Sequence, residues 1–184
     1  MAIEKYTTKC IVLDSYPNGE HDRVYKLFTR EFGLIMAHAK SIRKLESKLR
    51  AHVLPRSLSL VTLVLGKEVW RLVGAEEQRG IHSNIHEVTQ LLNRFIRGEG
   101  EHKALYDRVI TLMMSSSSYD VQKLRLLAYY IILTELGYAD VKVIGAQSMK
   151  EYLAWNMDDI YLHMLLHETK VKSHVHAVLQ EMQL

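Results

Sequence analysis

The sequence predicts an α+β protein in two parts, a small β-barrel followed by an all-helical bundle. Up to about residue 76, apolar and polar residues alternate in short runs bounded by turn residues, a pattern typical of strands. Beyond that point apolar residues recur every three or four positions, which is typical of amphipathic helices. We therefore predict a barrel domain over residues 1–79 and a helical domain over residues 80–184, without a Pro- or Gly-rich linker.

Five short runs make up the predicted barrel. They span residues 7–15, 22–29, 34–40, 57–65 and 68–76. The turn signals among them are Tyr16-Pro17-Asn18-Gly19, Glu31-Phe32-Gly33 and Gly66-Lys67. The last of these predicts a two-residue hairpin loop. Five strands in about 70 residues are too few for a sandwich and suit a small closed barrel such as the oligonucleotide/oligosaccharide-binding (OB) fold, although an SH3-like barrel would fit nearly as well.

Five or six helices are predicted in the second part. Three of them have apolar faces, formed by Val88, Leu91, Leu92, Phe95 and Ile96, then by Leu105, Val109, Leu112 and Met113, and then by Leu124, Leu127, Ala128, Ile131 and Ile132. Further helical stretches lie near residues 159–167 and 173–182. The predicted end signals are capping boxes at Asn84/Glu87 and Ser148/Glu151, an N-cap at Asp158-Asp159 and a C-cap glycine at Gly137.

Composition limits the class of protein. With 48% hydrophobic and 24% charged residues among 184, the chain has the make-up of an ordinary globular protein. Cys10 is the only cysteine, so an intrachain disulfide framework is excluded, and we expect a buried thiol in a reducing cytoplasm. No apolar run reaches the roughly 18 residues of a membrane-spanning helix, and the N-terminus lacks a signal-peptide core. We expect no contact with a membrane.

Positive charge is concentrated in the first part of the chain. Residues 1–80 carry fourteen Lys or Arg against nine Asp or Glu, whereas the remaining residues carry ten against twelve. Within the segment that we call the basic connection, residues 40–56, the cations are Lys40, Arg43, Lys44, Lys48, Arg50 and Arg56. Only Glu46 opposes them. Clustered cations on a β scaffold are typical of a surface that binds a polyphosphate backbone. The alternative is a solvated loop with no partner.

Aromatic residues in the predicted barrel suggest how bases would bind. Proteins that bind single strands without sequence preference stack bases on aromatic rings along a basic groove. Tyr25 lies between Arg23 and Lys26, and we predict that Tyr25 and Tyr16 stack on bases. We expect Phe28 and Trp70 to belong to the barrel core instead.

The sequence offers no enzyme signature. His163 and His167 have helical metal-ligand spacing, but Met164 stands where a zinc protease carries its general base. No glycine-rich phosphate loop occurs. We predict no catalytic residues, no metal and no cofactor, and rank a metal-dependent hydrolase last among the possible functions.

Several short motifs resemble one family. In chain order they are Tyr6-Thr7-Thr8-Lys9-Cys10-Ile11-Val12-Leu13, Gly19-Glu20-His21-Asp22-Arg23, Leu27-Phe28-Thr29, Phe32-Gly33-Leu34, Ala39-Lys40 and Ser47-Lys48-Leu49-Arg50. Over residues 6–76 their order and spacing are similar to the N-terminal domain of RecO, a family of bacterial recombination mediators. Leu126-Leu127 and Glu135-Leu136-Gly137-Tyr138 resemble its helical domain.

The resemblance implies an OB-fold barrel followed by a helical bundle, in a nucleoid-associated bacterial protein that acts in DNA repair and recombination. It implies binding of single- and double-stranded DNA, annealing of complementary strands, and recombinase loading together with RecR and the C-terminal tail of the single-strand-binding protein. The implied DNA-contacting cations are Arg23, Lys40, Arg43, Lys44, Lys48 and Arg50, and cations available for the tail include Arg94, Arg108, Lys123 and Arg125. Many family members have a four-cysteine zinc element, which we do not expect here because Cys10 stands alone.

Two other functions stay open at this point. One is a protein-interaction adaptor whose barrel docks a peptide and responds little to oligonucleotides. The other is an RNA-binding OB module without annealing activity.

Overall fold

The computed structural model describes residues 4–77, 85–115 and 120–182, which form five strands followed by six α-helices. The strands are β1 (Lys5–Asn18), β2 (Asp22–Thr29), β3 (Gly33–Ala39), β4 (Leu58–Leu65) and β5 (Trp70–Glu77). The helices are α1 (Ile85–Phe95), α2 (Lys103–Ser115), α3 (Val121–Glu135), α4 (Met149–Ala154), α5 (Met157–Leu166) and α6 (Glu168–Glu181).

The long strand β1 closes the barrel because it pairs with two different neighbours. Its first half is antiparallel to β4 and its second half is antiparallel to β2. The two pairings overlap at Cys10 and Ile11, and a bulge between Val12 and Asp14 interrupts the pairing with β2, as expected where a strand must bend. The strand order is β1-β2-β3-β5-β4, with β3 and β5 parallel over a short contact. This closed five-stranded barrel confirms the predicted OB-fold.

Alternation along the strands fills the barrel interior. In β3 and β4 every second side chain is buried, so one face of each strand points into the core. The buried cluster includes Cys10, Val12, Tyr25, Leu27, Ile35, Ala37, Ile42, Val53, Val61, Leu63, Trp70 and Leu72. Full burial of a large apolar side chain contributes about 1.5–3 kcal/mol. Cys10 is a buried free thiol as predicted, and burial raises its pKa.

Two of the predicted turns differ from the structure. β1 continues to Asn18, whose partner is Asp22, so Pro17 lies in the strand and not in a turn. A proline is tolerated there because this half of β1 has β2 as a neighbour on one side only. The β4–β5 loop has four residues rather than two, because the hairpin closes at Leu65 opposite Trp70 and the Gly66 N–H donates to the Val69 carbonyl (2.9 Å).

Several helix ends follow the sequence signals, and one differs. Gly137 adopts a positive φ of 81° after α3, as expected for a C-cap glycine. The Ser148 hydroxyl accepts the Glu151 N–H at the start of α4. α5, in contrast, is capped by Asn156 and not by Asp158-Asp159, because Asn156 and Asp159 form a reciprocal capping box. The predicted cap at Asn84 lies outside the described residues.

The chain separates into two compact units, residues 1–106 and residues 107–184, which we call the barrel unit and the helical unit. Helix α1 therefore belongs with the barrel, and the Phe28 ring lies 5.6 Å from that of Tyr106, the last residue of the barrel unit. The predicted boundary between residues 79 and 80 lies outside the described residues. Within the described part of the chain, no helix combines the length and hydrophobicity that a membrane span requires.

Candidate nucleic-acid interface

The basic connection is held to the barrel by its buried apolar side chains and by hydrogen bonds between its backbone and side chains of the barrel strands. Ile42 and Val53 are each 1% exposed and lie in the barrel core. Ser41, with a φ of 53°, donates its N–H to the Asp22 carboxylate (2.7 Å). Toward the other end, the Ser59 hydroxyl donates to the His52 carbonyl (2.6 Å). The connection is thus fixed at both ends while its cations remain on the surface.

Three arginines line one pocket of about 300 Å³ beside this connection. The lining residues are Arg23, Ile42, Arg43 and Arg50. Arg23 comes from β2, whereas the other residues come from the basic connection. We call this recess the three-arginine pocket. It brings together Arg23, Arg43 and Arg50, which were all predicted to contact DNA.

Hydrogen bonds orient two of the three guanidinium groups. Arg23 donates from Nε and Nη2 to the Ser15 hydroxyl (3.2 and 2.9 Å) and from Nη2 to the Ser15 carbonyl (3.1 Å). Arg43 donates from Nη1 to the Gly19 carbonyl (3.3 Å), and its backbone N–H donates to the His21 carbonyl (3.0 Å). Strand β1 and the β1–β2 turn therefore orient the two guanidinium groups.

None of the three guanidinium groups forms an ion pair with a carboxylate within the described ranges. The lining of the pocket also contains no acidic residue. Like charges that face one recess repel each other, and the repulsion falls when an anion occupies the recess. The pocket therefore has the chemistry of an anion site.

The other predicted DNA-contacting cations are lysines of the same connection. Lys40, Lys44 and Lys48 are all exposed and do not line the pocket. Arg56, at the end of the connection, lies 2.8 Å from the Nδ1 atom of His86 on α1. The lysines can thus contact a backbone that passes over the surface, whereas Arg56 has a partner within the barrel unit.

The position of Tyr25 contradicts the prediction that its ring stacks on bases. Its side chain is 3% exposed and lies in the barrel core, so its ring has no free face on which a base could stack. Burial raises the pKa of its phenol, while the positive charges of Arg23 and Arg50 oppose this rise. Tyr25 therefore supports the pocket from inside the barrel. Tyr16 remains 45% exposed.

Trp70 is buried in an aromatic cluster, as expected for a core residue. Its ring centroid lies 4.9 Å from that of Phe32 and 5.7 Å from that of Tyr6. The cluster borders a second recess of about 360 Å³, which we call the β3 groove. Its lining residues are Leu34, Met36, His38, Glu68, Val69, Trp70, Gly98 and Glu99.

The four cations predicted to bind a partner occupy different environments. Arg94 on α1 is exposed, with its guanidinium 5.8 Å from the Phe95 ring. On α3, Lys123 is half-buried and Arg125 is exposed, with the Arg125 guanidinium 6.0 Å from the Tyr129 ring. These three are available to a ligand at their respective surfaces, but Arg108 is not.

Arg108 is an internal residue of the helical unit, which contradicts its predicted role at a binding surface. Its side chain is 12% exposed and pairs with the 6% exposed Glu135 at 2.8 Å. It also donates to the carbonyls of Tyr152 (2.9 Å) and Trp155 (3.2 Å). Since a buried carboxylate needs a compensating charge, Arg108 stabilises Glu135 and has no role as a surface cation.

The two histidines considered as metal ligands have other neighbours. His163 stacks on the Trp155 ring with centroids 4.0 Å apart, and its Nδ1 lies 3.1 Å from the Ile144 carbonyl oxygen. His167 Nδ1 lies 3.0 Å from the His163 carbonyl oxygen.

Sequence patterns alone did not single out Ser15 or Ile42, although both shape the three-arginine pocket. One signal was available for Arg23. Because side chains two apart share a strand face, Arg23 lies on the same face of β2 as the buried Tyr25 and Leu27. A cation at the end of such an inward-facing row is expected at the mouth of the barrel, close to the basic connection.

Residues 1–80 match the protein family described as Recombination protein O N terminal. The DNA repair protein RecO of Dehalococcoides mccartyi (strain CBDB1) is 38% identical over 71 residues, or 39% of this chain and 28% of that protein. The DNA repair protein RecO of Heliobacterium modesticaldum is 41% identical over 71 residues, or 39% of this chain and 26% of that protein. The matched segment spans only about a quarter of the length of these curated relatives.

Proposed function

Because its first 80 residues match the RecO N-terminal domain family, we propose that this protein is a DNA-binding mediator of DNA repair and recombination. In this role it binds single- and double-stranded DNA through the basic connection and anneals complementary strands. It acts through binding and not through a catalytic site.

The observation that carries the proposal is the three-arginine pocket beside the exposed lysines of the basic connection. Guanidinium groups bind phosphate oxygens bidentately, and each phosphate contact releases condensed counterions from the nucleic acid. Lys40, Lys44 and Lys48 extend the same positive surface beyond the pocket. Such contacts give affinity without sequence preference, as an annealing protein requires.

Annealing follows from the same charges. Two complementary strands repel each other through their phosphates, and cations fixed on a protein surface lower that repulsion when both strands bind. Because Tyr25 is buried, the bases are free to pair instead of stacking on its ring.

The partners in this proposal are RecR and the acidic C-terminal tail of the single-strand-binding protein. For the tail, Lys123 and Arg125 on α3 are the supporting cations of the helical unit, and Arg94 on α1 is an accessible cation of the barrel unit. Removal of both α3 charges by Lys123→Gln and Arg125→Gln is expected to weaken binding of a tail peptide in a pull-down assay. Unchanged capture of the peptide would remove α3 from the proposal.

The experiment that tests the function is a fluorescence-anisotropy titration of a labelled single-stranded oligonucleotide over a salt series. Contacts with about four to six phosphates predict a slope of log affinity against log salt near −3 to −4. An annealing assay with complementary strands follows if binding is observed. Absence of binding at low salt would refute the proposal.

One observation favours a protein-interaction adaptor as the second candidate. The β3 groove is bordered by exposed Met36 and Val69, apolar side chains that a docked peptide could cover. This alternative predicts saturable binding to a partner protein with little response to oligonucleotides.

A further inference from the structure

We propose that the three-arginine pocket receives the terminal phosphate of a nucleic-acid strand, a phosphomonoester, in preference to an internal phosphodiester. The inference rests on the proposed function and names the ligand group of the same site. The shared chemistry is a phosphomonoester dianion, which either a strand end or a free mononucleotide can supply.

The lining of the pocket selects a charged group over a base. Its polar wall consists of three guanidinium groups, and Ile42 supplies the apolar part. No aromatic residue belongs to the lining, and the nearby Tyr25 is buried below it. A base would therefore find no aromatic ring to stack on and no acceptor among the lining side chains, whereas phosphate oxygens would meet donors on several sides.

Charge favours the monoester over the diester. Three guanidinium groups contribute a charge of +3, and no carboxylate pairs with them within the described residues. A phosphomonoester carries about −1.5 to −2 at pH 7 and offers three acceptor oxygens. An internal diester carries a single negative charge and has two non-bridging oxygens. The monoester thus neutralises more of the charge in the recess.

Donors remain available on each arginine. Arg23 uses Nε and Nη2 for Ser15, which leaves Nη1, and Arg43 uses Nη1 for Gly19, which leaves Nε and Nη2. Arg50 forms no side-chain hydrogen bond to any described residue, so its whole planar fork is available. Because Arg23 and Arg43 are already oriented, phosphate binding has to order only Arg50, which lowers its entropic cost.

The test compares three single-stranded oligonucleotides of one sequence, labelled internally, that end in a 5′-phosphate, a 3′-phosphate or hydroxyls only. Anisotropy titrations use the full chain, its Arg50→Gln variant and, as a matched control, its Lys48→Gln variant. Lys48 belongs to the same exposed connection but does not line the pocket. Thermal unfolding of all three proteins checks that each is folded.

We expect a phosphate at one of the two ends to strengthen binding to the wild-type chain by about five- to tenfold, which corresponds to about 1–1.4 kcal/mol. In Arg50→Gln this advantage falls below about twofold, while binding of the hydroxyl-ended strand persists. In Lys48→Gln all three strands bind more weakly by the same factor, so the advantage is retained.

Equal binding of all three strands by the wild-type chain would overturn the inference and leave the proposed function intact. An end-phosphate advantage that survives in Arg50→Gln would also overturn it. If no strand binds, the proposed function fails. A thermal-shift titration that compares thymidine monophosphate with thymidine then tests whether the pocket binds a phosphomonoester. A stabilisation by the monophosphate that Arg50→Gln abolishes would support a free-mononucleotide site, whereas its absence would overturn the inference.

Discussion

Arginines in the two units have opposite roles. In the barrel unit, Arg23, Arg43 and Arg50 surround an open recess and pair with no described carboxylate. In the helical unit, Arg108 is enclosed by a carboxylate, two backbone carbonyls and the Tyr152 ring, whose centroid is 4.6 Å from the guanidinium carbon. A count of positive charges therefore does not locate a binding surface. What matters is whether the protein itself supplies the counter-charge.

The largest expected effect is on the buried pair. Arg108→Met would leave Glu135 buried without its partner, so we expect the free energy of unfolding to fall by about 3 kcal/mol or more. Urea unfolding followed by circular dichroism measures the loss. The matched control is Arg125→Met on exposed α3 surface, for which we expect a change within about 0.5 kcal/mol. Equal losses in both variants would remove the distinction between internal and surface arginines.

The next largest effect is on affinity, without a matching loss of stability. Replacing Lys44, Lys48 and Arg50 together with glutamine removes three exposed cations. We expect the affinity for single-stranded DNA to fall about tenfold or more, and the salt slope to become shallower by about two. Anisotropy over a salt series measures both quantities. Unchanged affinity and slope would show that the basic connection is not the DNA site.

A pH dependence sharpens the contrast between the units. Burial raises the pKa of Glu135, and the charge of Arg108 opposes this rise. Without Arg108 the pKa of Glu135 in the folded state rises further above its unfolded value. Between these two pKa values Glu135 is protonated in folded Arg108→Met and ionised in the unfolded chain. The stability of Arg108→Met therefore increases as the pH falls from neutral toward the ordinary carboxyl range. The deficit relative to wild type should shrink between pH 7 and pH 5 in urea titrations, and a constant deficit would contradict this account.

The smallest effect concerns Tyr25. Because its ring is in the core, Tyr25→Phe keeps the packing and removes only the hydroxyl, so we expect the affinity for single-stranded DNA to change by less than about twofold. Replacement of the exposed Tyr16 with alanine is the comparison variant. A large loss of affinity in Tyr25→Phe would mean that the phenol reaches the ligand.

Local patterns predicted the barrel strands well because alternation and turn residues act over a few positions. They were less accurate where a distant strand decides the outcome. Pro17 lies in a strand because β2 pairs with that half of β1, and the Gly66 loop is longer because β4 and β5 close their register at Leu65 and Trp70. At α5 the N-cap is Asn156 and not Asp158-Asp159, because the Asn156 side chain accepts the Asp159 N–H while the Asp159 carboxylate accepts the Asn156 N–H.

Periodicity, composition and short-range chemistry were sufficient to predict the class of fold, the buried Cys10 and the segment in which exposed cations concentrate. Which cations converge depends on how the strands and helices pair and pack. Arg23 meets Arg43 and Arg50 because β2 pairs with β3, which places Arg23 opposite Ala39, directly before the basic connection. Arg108 meets Glu135 because α2 packs near the end of α3. The periodicity of a strand or helix assigns a side chain to a face, but the elements that pack against that face determine whether its charge meets a carboxylate or remains available to a phosphate.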